Sequence, residues 1–154
     1  MSRVNEIRYI GYAVSSLKAE RDFYRDVWGL TESAEQDGMV YFATPGHDER
    51  FVVRLREDTL KRVDVMGLAA ATRADVDALH AAVANSGARM ISSPAELRQP
   101  GGGYGFRFFS PDGLPFEISS DVAQGKARSP SWRLVRRVTT SSSLSASSKN
   151  STGP

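Results

Sequence analysis

The chain holds two histidines, His47 and His80, and no cysteine. Without thiols there is no disulfide, no thiolate zinc site and no cysteine nucleophile. A histidine-based enzyme must therefore work with these two imidazoles. His47 lies in the polar turn Thr44-Pro45-Gly46-His47-Asp48-Glu49 and reads as a solvated loop residue. His80 follows Leu79 on a predicted helix, beside its apolar face, and reads as a packing residue at the helix edge. The carboxylate that draws attention is Glu117, alone between Phe116 and Ile118. An inward carboxylate needs a partner or a raised pKa, because a buried unpaired charge is costly. It reads either as a ligand group or, preferably, as one half of an ion pair with Arg107 on a neighbouring predicted strand.

Other patterns carry less. Pro100-Gly101-Gly102-Gly103-Tyr104-Gly105 invites a phosphate-loop reading. That chemistry needs a strand before, a helix after and backbone N–H groups aimed at the anion. Here a strand follows and no Lys-Ser/Thr pair is present, so a loop at the rim of a pocket is expected, able to act as a lid. No Gly-x-Ser-x-Gly elbow occurs, which removes serine hydrolase chemistry. Tyr9, Tyr12, Tyr41, Phe106 and Phe108 fall on predicted strands as candidates to line an apolar pocket for a flat ligand.

The elements that must position these residues come in two similar sets. Ile7 to Val14 reads as a strand, rich in β-branched and aromatic residues. Ser16 caps a helix carrying Leu17, Phe23, Tyr24 and Val27 near helical spacing, and Gly29 ends it. Strands follow at Thr31–Gln36, Met39–Ala43 and Phe51–Leu55, with Asp37-Gly38 as a hairpin turn. The second set repeats the order. It has a strand at Val63–Ala71, a capping box at Thr72-Arg73-Ala74-Asp75 and a helix with Val76, Leu79 and Val83 on its apolar face. Gly87 stops that helix, and strands follow at Ala88–Ser92, Phe106–Phe109 and Phe116–Ile118. The result is an internal repeat of helix-containing units. The fold class expected is α+β: two βαβββ modules pairing into a curved, partly open mixed β-barrel with helices outside. Helices outside a barrel point His80 away from the interior, which argues against a triad with His47 and Glu117.

Charge divides the chain of 154 residues. Residues 1–121 carry 14 Lys/Arg against 18 Asp/Glu, while residues 122–154 carry 6 Lys/Arg and no acid. The expectation is a globular domain over 1–121 and a basic Ser/Arg-rich tail over 122–154. Leu134, Val135 and Val138 would form at most a short extended piece, and the polar run from about 139 is expected to be disordered. The arginines lack interleaved aromatics apart from Trp132 and the body is acidic, so no nucleic-acid partner is expected. No apolar run approaches the ~18 residues of a membrane span, and no secretory signal pattern opens the chain, so a cytoplasmic protein is expected.

Two runs resemble a known superfamily. One is Val14-Ser15-Ser16-Leu17 with Asp22-Phe23-Tyr24-Arg25-Asp26-Val27-Trp28-Gly29-Leu30; the other is Phe109 to Ile118. They are similar to the opening helix and closing hairpin of the vicinal oxygen chelate superfamily, which holds glyoxalases, bleomycin-resistance proteins and extradiol dioxygenases. The resemblance covers residues 6–121 and implies the paired βαβββ fold. It also implies a divalent metal such as Fe(II), held by first-strand histidines and a last-strand carboxylate. Only Glu117 matches such a position; Tyr9 and Val65 (or Asp64, one residue away) replace the histidines, and no inward acid falls near Val52 and Val53. An iron(II) oxygenase site of this type needs two histidines and a carboxylate.

The resemblance is therefore nearest to the N-terminal, metal-free domain of a two-domain extradiol dioxygenase. It implies no catalytic residue and no cofactor, a structural or small-aromatic-ligand-binding role, and a homodimer. The alternatives are a metal-dependent extradiol dioxygenase or glyoxalase-like enzyme, and a bleomycin-resistance-type drug-binding dimer. A further expectation is that the gene once continued into a catalytic domain, from which Ser129 to Leu134 and the following run depart by truncation or a shifted reading frame.

Overall fold

The computed structural model describes residues 1–125. Strands β1 (Glu6–Val14), β2 (Thr31–Gln36), β3 (Met39–Ala43) and β4 (Val53–Glu57) form the first module with helix α1 (Leu17–Asp26). Strands β5 (Arg62–Ala69), β6 (Ala95–Glu96), β7 (Tyr104–Phe109) and β8 (Pro115–Ser120) form the second with helix α2 (Arg73–Asn85). All eight strands join one sheet in the order β2-β3-β4-β1-β5-β8-β7-β6. Each half is a mirror of the other in order, with the two first strands, β1 and β5, pairing antiparallel at the centre. The β1–β4 and β5–β8 pairs are parallel, and the sheet stays open at β2 and β6. The mixed α+β architecture is thus the one the repeat predicts.

Local chemistry explains the element ends. Ser16 has extended backbone and its Oγ accepts from the Ala19 N–H at 3.3 Å, while Thr72 does the same for Asp75 at 3.1 Å. Such caps satisfy N–H groups that a first helical turn leaves without partners. Asp37 and Gly38 both have positive φ, 53° and 73°, as the two-residue hairpin between β2 and β3 requires.

Side chains alternate across the strands, so the sheet has two faces. On the helix side, Val14, Tyr24, Val40, Phe42, Val53 and Leu55 form one cluster, and Ala70, Val76, Phe106 and Ile118 form another. The opposite, inner face buries a smaller cluster of Tyr9, Tyr41, Phe51 and Val65. The expected strand at Ala88–Ser92 is replaced by a single bridge, Met90 to Phe108. There the N–H groups of Ile91 and Ser92 both donate to the Arg107 carbonyl, which breaks a regular ladder. Pairing resumes as β6, four residues further on than Ile91. The tail expectations from residue 126 onward lie outside the described residues. Among the described residues no helix is long and apolar enough to cross a membrane.

Candidate functional site

The site is built by one row of cross-strand partners on the inner face. Tyr9 of β1 pairs with Gly67 of β5, Gly67 with Glu117 of β8, and Glu117 with Arg107 of β7. Paired residues share a face, so three long polar side chains meet above a glycine. Gly67 is needed there: a Cβ at that position would stand 2.1 Å from Tyr9 Cε1.

Glu117 is completely buried. Its Oε2 accepts from Arg107 Nε at 2.9 Å and from Arg107 Nη2 at 2.7 Å, and its Oε1 from Gln99 Nε2 at 3.4 Å. Burial works against the Arg107 charge, but Glu117 more than offsets it and holds the guanidinium's pKa above its ordinary value. The Tyr9 hydroxyl is buried and has no hydrogen-bond partner among the described residues. Burial first, and the negative charge of Glu117 second, push the phenol's pKa up, so it stays protonated.

A second ion-pair group closes the mouth. Arg54 and Arg56 alternate along β4 and project onto the inner face beside Asp64. On β5, Val63 pairs with Tyr12 and Val65 with Gly11, leaving Asp64 as the extra residue of a β-bulge. A bulge re-aims a side chain. Here it places the Asp64 carboxylate where it accepts from Arg54 Nη2 at 2.7 Å and from Arg56 Nη2 at 2.6 Å. Burial opposes the charge on Asp64, yet these guanidiniums outweigh it and hold its carboxyl below the usual range. Arg54 is 4% exposed, lies 6.0 Å from the Tyr9 ring centroid and leaves its Nε without a partner among the described residues. A cavity of about 350 Å³ opens over this group.

The structure brings together Tyr9, Tyr41, Val65, Asp64 and Glu117 on the inner face. It places Tyr12, Phe106 and Phe108 on the helix side instead, where Tyr12 packs against the first cluster and Phe108 against the second, which contains Phe106. His80 meets the Phe106 ring edge-on at 5.0 Å, also on the helix side. His47 stays in its loop, where its Nδ1 accepts from the Glu49 N–H at 3.1 Å. The glycine-rich loop is tied down: the Ala123 N–H donates to the Gly101 carbonyl and the Leu97 N–H to the Gly103 carbonyl, both at 2.8 Å. Sequence reasoning missed Arg54, Asp64 as its partner, and Gln99. The alternation Val53-Arg54-Leu55-Arg56 was the available signal, since two arginines two residues apart share a strand face. Nothing in the sequence marked Gln99, which a loop carries inward.

These residues do not fit a divalent metal. Val65 offers no donor, the Tyr9 phenol is held neutral, and Glu117 already accepts two bonds from a guanidinium whose charge would repel a cation. Among the described residues, no three His, Cys, Asp or Glu side chains come together to hold a metal ion.

Comparison with known proteins adds the following. The sequence model of the glyoxalase/bleomycin resistance protein/dioxygenase superfamily matches residues 6–118. The crystal structure of the Mn(II)-bound glyoxalase from Novosphingobium aromaticivorans is 55% identical, with a TM-score of 0.82, over 84% of this chain and 43% of that one. An extradiol ring-cleaving dioxygenase from Brevibacterium fuscum superposes with a TM-score of 0.77 at 22% identity, over 86% of this chain and 37% of that one. Homoprotocatechuate 2,3-dioxygenase from Arthrobacter globiformis gives 0.77 at 23% identity, over 86% of this chain and 41% of that one. The last two likenesses show the fold alone. The chain spans less than half the length of each of these structures. No curated protein matches the chain.

Proposed function

Since the chain belongs to the glyoxalase/bleomycin resistance protein/dioxygenase superfamily, we propose that it serves as a metal-free double module, structural or binding a small ligand, rather than as the metal centre of a dioxygenase or glyoxalase. The bidentate bond from Arg107 to Glu117 carries this reading. A guanidinium there takes up the lone pairs and the charge that a metal would need. The inner face then gains order from ion pairs over an aromatic floor of Tyr9, Tyr41 and Phe51, where Tyr9 and Phe51 ring centroids lie 4.6 Å apart.

A second reading has its own support. The 55%-identical glyoxalase is Mn(II)-bound, and this chain covers 43% of it. In that reading the double module accompanies a metal-bearing partner module, and the metal chemistry belongs to the partner. The homodimer expected from the resemblance is part of the same proposal; light scattering would read about twice the 16.8 kDa of one chain.

Calorimetric titration of the purified chain with Fe(II), Mn(II) and Zn(II) under anaerobic conditions tests the proposal, alongside Glu117→Gln. Weak binding that ignores the substitution supports it. Tight one-to-one binding lost in the variant overturns it.

A further inference from the structure

The described residues contain one polar cavity on the inner face whose charge is not balanced by its own lining. Four arginines, Arg54, Arg56, Arg62 and Arg107, border it, with Asp64 as the acid among them. Glu117 behind Arg107 and Asp58 behind Arg56 and Arg62 take two further charges, so one positive charge is left over. The donors are not all used either. Arg54 spends only Nη2 on Asp64, and Arg107 spends only Nε and Nη2 on Glu117. A ligand that accepts from the remaining guanidinium N–H groups makes charge-assisted hydrogen bonds with them.

The remaining wall is apolar. Ile91, Phe109 and Pro115 line the cavity beside the arginines. Arg89 lies 3.9 Å from the Phe109 ring centroid and fixes that ring in place. At about 350 Å³ the space is of the size that takes a small organic molecule.

We propose that this mouth binds the carboxylate of a small aromatic acid, the carboxylate on Arg54 and Arg107 and the ring against Phe109 and Pro115. The proposal rests on the metal-free reading above. Planar guanidiniums match a carboxylate's two oxygens, and a monoanion matches the single surplus charge. A polyanion would exceed that surplus, and a neutral ring would leave the donors unmet.

The test titrates the full chain, in EDTA, with benzoate, benzamide, acetate and inorganic phosphate, followed by amide chemical shifts. Expected is saturable benzoate binding that perturbs Arg54, Val65, Arg107 and Phe109. Benzamide and acetate should each bind at least about tenfold more weakly, because each lacks one half of the recognition. Arg54→Gln should weaken benzoate to the benzamide level; the shift map of the unsubstituted chain decides the matter should that variant fail to fold. Equal binding of benzoate and benzamide, phosphate binding as tight as benzoate, perturbation confined to residues away from the cavity, or no saturation would each overturn the proposal. A repeat with Mn(II) in place of EDTA separates the two claims. Benzoate binding that appears only with Mn(II) contradicts the metal-free reading, while no binding in either buffer contradicts the ligand alone.

Discussion

The Tyr9 ring lies against the backbone of Gly67, its cross-strand partner, so closely that a methyl group at Gly67 would stand 2.1 Å from Cε1 and 2.2 Å from Cδ1. This contact joins the first strands of the two modules at the centre of the sheet. It also aims the phenol at the Glu117–Arg107 pair.

Gly67→Ala should therefore destabilise the fold by about 1–3 kcal/mol, the usual cost of forcing extra volume into a packed site. Urea unfolding measures it. Adding Tyr9→Ala, which removes the ring, should make the glycine substitution nearly neutral. A Gly67→Ala cost unchanged in the Tyr9→Ala background would mean the two residues do not touch in solution.

Arg107→Met leaves a buried carboxylate without its partner. The expected loss is about 3 kcal/mol, the low end for a broken buried pair, because Arg107 reaches solvent at one edge. Replacing both, as Arg107→Met with Glu117→Leu, should restore much of that stability, since an apolar pair of similar volume carries no desolvation penalty. A double variant no more stable than Arg107→Met would contradict this account.

Acid should loosen the ion pairs of Asp58 and Asp64 only well below the ordinary carboxylate range. The Leu60 N–H and then Arg62 hold the Asp58 carboxyl down at about 2, and Arg56 and Arg54 hold Asp64 low against its burial. Both groups have folded pKa values below their unfolded ones. Their stabilisation is therefore present above the ordinary carboxylate pKa of about 3.9 and lost as pH falls through the folded values. Carboxyl carbon shifts followed by NMR should place the Asp58 midpoint near 2. A midpoint at the ordinary value would mean that its bonds to Leu60, Arg62 and Arg56 are not formed.

Much of this arrangement was written in local sequence. Ser16 and Thr72 marked the helix starts, Asp37-Gly38 marked a hairpin and Met39–Ala43 came out as β3 at its observed bounds. The Arg107–Glu117 pair was legible because an acid among apolar alternating residues has few partners other than a base on the next strand. Which aromatics face inward was not legible. Tyr9 and Tyr12 are an odd number of residues apart, so alternation puts them on opposite faces without saying which face is the inner one. The bulge between Gly11 and Tyr12 in the β1–β5 pairing adds its extra residue on β5. A one-residue slip exchanges the faces of a strand. The same bulge turned Asp64 inward, which alternation alone would not show. Gln99 reaches Glu117 from a loop, and a loop has no period to read.

The central claim is that Arg107 occupies with Glu117 the place where a metal would bind. Paramagnetic broadening reads that place directly. One equivalent of Mn(II), added anaerobically to the isotope-labelled chain, should leave the amide signals of Tyr9, Gly67 and Glu117 no broader than those of α2. Selective loss of those three signals, reversed by EDTA, would put a metal in the mouth and contradict the account.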